Sequence, residues 1–250
     1  MSSDKKVLIV TQSSLSQNYH EKLGRVPRLL RKHGYVVEWL KVTEEAFIFD
    51  NITRYCGVYF DGAAISANET DKHAWMSDQA DFMKLCVEKN MPVLAICMSA
   101  GLFTRVLGGQ VSRHPSGKGE RGYRKIFPTA EGCAFFPKEF NAYFWHQDGF
   151  SLPQEAVLLA KSALFNQAYC YRENSYALQF HPEWTHEIIR RYALTVEREA
   201  LMFKGADDEK KQAEEGKKYA ATIEAWFDNF LNYWPLKKTP EDTINENNNN

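Results

Sequence analysis

Up to Gly109 the apolar positions follow two alternating patterns. Short unbroken runs give way to longer stretches in which apolar residues recur every three or four positions. The runs Lys6–Thr11 (KVLIVT), Tyr35–Val42, Gly57–Phe60 and Pro92–Ile96 are short, and several are rich in β-branched residues, which predicts buried strands. Leu23, Val26, Leu29 and Leu30 predict a helix over Tyr19–His33, with Pro27 in its first turn or at a kink and Gly34 as its stop. Trp75, Met76, Phe82, Met83, Leu85 and Cys86 fall on one broad side of a helix predicted over Asp71–Lys89. A third helix is predicted over Met98–Leu107, stopping at Gly108-Gly109.

This β-α-β alternation implies an α/β fold with a mostly parallel sheet and helices on both faces. Beyond Gly109 the pattern becomes a series of short strands, at Tyr123–Phe127, Phe140–His146, Ala156–Lys161, Gln167–Tyr171 and Tyr176–Phe180. Helices return over Thr185–Phe203 and Glu209–Phe230, with Ile223, Phe227, Phe230 and Trp234 as core anchors. Asp207–Lys218 mixes both charges densely and reads as a solvated helix face or a loop. The expected organisation is one domain over 1–234 and a polar, disordered tail over 235–250, closing on four asparagines.

Composition removes several function classes. The 31 basic and 32 acidic residues leave a formal net charge of −1, so no global field attracts nucleic acid or an anionic membrane. No apolar run approaches the roughly twenty residues of a membrane-spanning helix. Met1–Lys6 is polar and has no signal-peptide character. The five cysteines are odd in number and widely spaced, and none forms C-x-x-C, which argues against a disulfide framework and a Cys-rich zinc site. The expected compartment is the reducing cytoplasm.

One cysteine has a distinctive context. Cys97 follows the strand PVLAI and precedes a helix, which places it on a turn at the carboxyl edge of the sheet, where open α/β proteins bind ligands. Ala95 and Ser99 supply the small flanking residues of a nucleophile elbow, and the helix N-terminus favours a negatively charged nucleophile. The elbow alone fits a catalytic cysteine and a cysteine that merely ends a buried strand equally well. A second segment adds His181-Pro182-Glu183 at the end of another strand. A carboxylate two residues from a histidine can hold the imidazole in one tautomer while its other nitrogen faces a thiol.

Together these segments resemble a class I glutamine amidotransferase domain of the Cys-His-Glu type, from about residue 5 to residue 190. The resemblance is carried by PVLAICMSAGLFTRVLGGQV (Pro92–Val111), GKGERG (Gly117–Gly122), WHQD (Trp145–Asp148), NQAYCY and ALQFHPE. The subgroup is that of stand-alone proteins similar to the amidotransferase domain of GMP synthase. The implied fold is flavodoxin-like: a mostly parallel central sheet flanked by helices, with antiparallel strands added in the second half. The implied catalytic residues are Cys97, His181 and Glu183, and the implied oxyanion donors are the backbone N–H groups of Met98 and Ala63. Gly62, Gly101, Gln147 and Asp148 would face the substrate. No metal and no cofactor are implied.

Three substrate-side positions depart from the family pattern. Gly101 stands where the family has a glutamine, Gln147 replaces the glycine of a His-Gly-Asp segment, and Gly62-Ala63-Ala64 replaces Gly-Gly-Pro. An intact triad beside an altered pocket points to altered substrate preference. The expected activity is hydrolysis of a γ-glutamyl amide, either glutamine or a γ-glutamyl compound, through a Cys97 thioester. A glutaminase version would pass ammonia to a separate synthetase, because the stretch after Glu183 is too short for one and no P-loop is present. The alternative is a catalytically weak binding or regulatory subunit.

Overall fold

The computed structural model describes residues 5–12, 24–45, 47, 51–195 and 202–235. Its strands are β1 (Lys6–Thr11), β2 (Val36–Lys41), β3 (Gly57–Phe60), β4 (Val93–Ile96), β5 (Val111–Arg113), β6 (Glu120–Pro128), β7 (Phe140–His146), β8 (Asp148–Phe150), β9 (Ala156–Lys161), β10 (Asn166–Tyr171) and β11 (Ser175–Leu178). Its helices are α1 (Val26–Lys32), α2 (Ala74–Glu88), α3 (Met98–Val106), α4 (His186–Thr195) and α5 (Glu209–Tyr233). Nine strands form one sheet in the order β2-β1-β3-β4-β11-β10-β9-β6-β7. The pairings from β2 to β11 are parallel, and those from β11 to β7 are antiparallel. The expected parallel first half with antiparallel additions is therefore observed.

The two apolar clusters follow from strand alternation. Val7, Ile9, Leu94 and Ile96 face a layer that includes α1 and the Phe227–Trp234 end of α5. Leu8, Val10, Val93 and Ala95 face the opposite layer, with Met76, Phe82, Met83 and Cys86 of α2. Because both faces are covered, the central strands read as unbroken apolar runs. Ile223, Phe227, Phe230 and Trp234 are all buried. The charged stretch before them forms the first turns of α5, capped by the Asp208 carboxylate accepting from the Lys211 N–H at 2.8 Å.

Several boundaries differ from the sequence pattern. Pro27 lies in the first turn of α1, and the expected beginning of that helix falls in 13–23, outside the described residues. The helix expected to reach Phe203 is seen over His186–Thr195; 196–201 lie outside the described residues, and Phe203 itself is not helical. There the chain turns at Gly205, and the Gly119 N–H donates to the Lys204 carbonyl at 2.9 Å. The last strand stops at Leu178, before Phe180. The β5–β8 pair has no counterpart in the sequence pattern, since three-residue strands are too short to show a period. Pro235, at the head of the expected tail, is buried, and 236–250 lie outside the described residues. No helix among the described residues is long and apolar enough to cross a membrane.

Candidate active site

Strands β3, β4 and β11 are adjacent and parallel, so their carboxyl ends open side by side. Leu178 pairs with Ile96, and the Cys97 N–H donates to the Leu178 carbonyl at 2.8 Å. Cys97 then turns sharply into α3 with φ 52° and ψ −112°. A non-glycine residue in that region costs about 1–3 kcal/mol, and here the flanking strand and helix hold it there. The turn lifts the side chain to the sheet edge, where it is 7% exposed. Its thiol points at the Trp145 carbonyl (3.7 Å), and the Gln179 amide donates toward the sulfur (3.8 Å).

His181 follows β11 by three residues and anchors its N–H on the Tyr143 carbonyl at 2.8 Å. Its Nδ1 donates to Glu183 Oε1 at 2.7 Å, which leaves Nε2 clear of the carboxylate, and the imidazole and the Cys97 thiol border the same small cavity. Burial alone opposes the imidazolium, but Glu183 and Cys97 outweigh it and raise His181 to about 10. Trp184 stacks on the imidazole with centroids 3.9 Å apart and planes 18° apart, and its indole also stacks on Tyr192 at 4.8 Å. Arg25, buried at the start of α1, holds this turn. Its guanidinium donates to the carbonyls of Pro182 (3.2 Å) and Trp184 and pairs with Glu224 of α5 (3.1 Å). Its backbone N–H donates to the Glu183 carbonyl at 2.9 Å.

The loop after β3 completes the edge. Ser99 of α3 donates to the Asp61 carbonyl at 2.5 Å and accepts from Gln79 of α2 at 2.9 Å. The serine in the elbow therefore fastens the loop after β3 to the helix behind it. A Cβ on Gly62 would lie 3.1 Å from Cys97 Cβ and 3.4 Å from His181 Cε1, so a side chain there would crowd both. Met98 is the first residue of α3, and its N–H has no carbonyl one turn back within the helix. Asp61 is buried beside Glu183. Desolvation, then the Glu183 charge, push its carboxyl up to about 8, against a 3.1 Å hydrogen bond from Thr11.

A cavity of about 240 Å³ opens beside Cys97, and Ala63, Met98, Gly101, Gln147 and Asp148 all line it. Gly101 has no side chain to offer, and a Cβ would come within 2.9 Å of Ala67 Cβ and 3.3 Å of Val111 Cγ2. Those two residues occupy the space a larger side chain would need. Gln147 accepts from Arg113, whose guanidinium also pairs with Asp148 at 2.7 Å; Ser66 donates to the other Asp148 oxygen at 2.6 Å. Behind them His146 Nδ1 donates to the Asp148 carbonyl at 2.9 Å. Burial lowers His146 to about 3, so it is neutral, and raises Glu120, 3.5 Å away, to about 7. Among the described residues no group of three or more His, Cys, Asp or Glu is placed to hold a metal ion.

All of the site residues expected from the sequence thus meet around one sheet edge. Arg25, Asp61, Ser99, Arg113, Gln179 and Trp184 join them, and sequence reasoning does not single them out as site residues. Ser99 and Gln179 sit within the motifs quoted above, and Trp184 and Asp61 adjoin theirs, so proximity in sequence is a usable signal for those four. Arg25 carries none, because the residues it holds are remote in sequence.

The family profile described as Glutamine amidotransferase class-I matches residues 24–195. The chain is 32% identical over 133 residues to a glutamine-hydrolyzing GMP synthase subunit of Methanococcus maripaludis, covering 49% of this chain and 69% of that one. It is 30% identical over 144 residues to Gamma-glutamyl peptidase 5 of Arabidopsis thaliana, covering 52% of this chain and just over half, 56%, of that relative. A glutamine amidotransferase structure from Thermotoga maritima superposes with a TM-score of 0.77 at 21% identity, covering 91% of this chain and 96% of the other, which is a likeness of fold.

Asp61 gives this site a pH signature. Its folded-state proton is retained well above the carboxyl's ordinary value of 3.8, so the associated stabilisation is full at low pH and declines as pH rises toward about 8. Thermal melts from pH 6 to 9 should show a falling midpoint, with a shallower fall in Asp61→Asn; a steeper fall in the variant would contradict the assignment. Arg25→Met should destabilise the protein by about 3 kcal/mol in urea unfolding, because buried carbonyls lose their donor. Arg25→Lys should recover only part of that, since one ammonium cannot span the same acceptors.

Proposed function

The chain belongs to the class-I glutamine amidotransferase family, and on that premise we propose that it hydrolyses a γ-glutamyl amide through a thioester on Cys97. The observation that carries this reading is the convergence of Cys97, His181 and Glu183 at one sheet edge, with the imidazole held by the carboxylate at 2.7 Å and the thiol bordering the same cavity. His181 takes the thiol proton, and the sulfur attacks the side-chain carbonyl carbon of the substrate. The N–H groups of Ala63 and Met98 receive the oxyanion. The C–N bond breaks as His181 gives its proton to the leaving amine. His181 then deprotonates a water that opens the thioester, releasing glutamate and restoring the thiol. Glu183 orients the imidazole and stabilises its charged form throughout.

Gly62, Gly101, Gln147 and Asp148 shape the substrate side. The substrate is a small γ-glutamyl compound, and the reaction takes place in the cytoplasm, where the five unpaired cysteines would remain reduced. Similarity to a GMP synthase subunit supports a version in which a separate synthetase accepts the ammonia. Similarity to a γ-glutamyl peptidase supports simple hydrolysis. Two observations favour a second reading, a catalytically weak binding or regulatory subunit: Gly101 presents no side chain, and Gln147 is engaged by Arg113.

Incubation with glutamine and a panel of γ-glutamyl peptides, following glutamate and amine release, separates these readings. Wild type should turn over at least one member, and Cys97→Ser should lower kcat/KM by about a thousandfold or more. Glu183→Ala should lower kcat by roughly a hundredfold or more with little change in KM. Equal inertness of wild type and Cys97→Ser across the panel would favour the binding reading.

A further inference from the structure

Two cavities meet at Cys97, and they differ in what bounds them. The larger one carries Met98, Gly101, Gln147 and Asp148, with no contribution from His181 among its described lining residues. The smaller one, about 50 Å³, lies on the histidine side. It is lined by Gly62, Ala63, Ala64, Cys97, Trp145, His181, Trp184 and Tyr192. A nitrogen that leaves with a proton from His181 must sit against His181, so its substituent projects into the smaller cavity and the glutamyl group lies in the larger one.

We propose that this smaller cavity is a leaving-group subsite for amines with an apolar substituent, so that the substrates are γ-glutamyl amides of apolar monoamines rather than glutamine itself. The subsite rests on the proposed hydrolysis at Cys97. None of its described lining residues is Asp, Glu, Lys or Arg. A second ammonium on the leaving amine would lose its water there beside the His181 imidazolium, and a carboxylate would compete for His181, whose proton the leaving nitrogen needs. Ammonia would leave the aromatic wall uncovered, whereas each buried methylene contributes apolar contact. The wall is also pre-shaped: Trp184 is fixed between His181 and Tyr192, and Trp145 meets Trp184 edge-on at 89°. At about 50 Å³ the cavity accepts a few heavy atoms, and Ala64, exposed on the oxyanion loop, borders it.

The test compares L-glutamine, γ-L-glutamylglycine and γ-L-glutamyl-n-butylamide with the full chain. Turnover is measured as glutamate release, and binding is measured by calorimetry on Cys97→Ser. In wild type, kcat/KM for the butylamide should exceed that for the other two by about tenfold or more. Ala64→Leu, which adds bulk at an exposed position, should reduce that preference to under about threefold, and because the readout is a ratio, altered stability cancels. Turnover of all three with glutamine or γ-glutamylglycine equal or preferred overturns the subsite while leaving hydrolysis standing. No turnover, but about tenfold tighter binding of the butylamide than of glutamine to Cys97→Ser, overturns hydrolysis and retains the apolar subsite. No turnover and no binding preference overturns both.

Discussion

The hydrogen bond from the Cys97 N–H to the Leu178 carbonyl, 2.8 Å long, closes the parallel pairing of β4 with β11. Most of the site depends on that pairing. It joins a strand from the first half of the chain to one near residue 178, and both run in the same direction. The chain leaving each strand therefore emerges on the same edge. Cys97 leaves β4 into a helix, and His181 leaves β11 into a turn. With β3 on the other side of β4, the loop Asp61–Ala63 arrives at the same place. Any other partner for β11 would carry His181 away from the thiol.

Around that pairing, buried polar groups act as fasteners. Ser99 ties the β3 loop to α3 and, through Gln79, to α2. Arg25 ties the Pro182–Trp184 turn to α1 and α5. The Glu120–His146–Gln167 group holds the junction of β7 with β8, where Gln147 and Asp148 reach the larger cavity. Each fastener spans elements far apart in sequence. A buried polar group without a partner is costly, so these contacts select one arrangement of loops over others that would bury the same apolar surface.

The departures from the family pattern have local physical explanations. Gly101 is compatible with Ala67 and Val111 closing over α3, and Gln147 is drawn to Arg113 on the neighbouring β5 strand. Near α3 the pocket is closed by Ala67 and Val111 and its rim carries Arg113, while the histidine side carries a stacked aromatic wall. The changes lie in the cavity beside Cys97, while Cys97, His181 and Glu183 stand together at the sheet edge.

How much is legible in the sequence follows from the range over which each feature is determined. The strands of the first half, the helix α2 and the elbow at Cys97 are set by local periodicity and by small residues at a sharp turn, so they can be read directly. His181 and Glu183 can be linked to each other because alternation along a strand end is also local. Their approach to Cys97 follows from family resemblance alone at that level, because strand order is not written in any one segment. Phe203 falls outside the helix that its charged amphipathic surroundings suggest, because that pattern does not reveal a turn held by Gly119 and Lys204 across the fold. Arg25 gives no signal because its acceptors are backbone carbonyls more than a hundred residues away. The sequence by itself determined most of the elements and the chemical groups. The tertiary structure decided which groups share an environment, because that depends on strand pairing and on where buried polar atoms find partners.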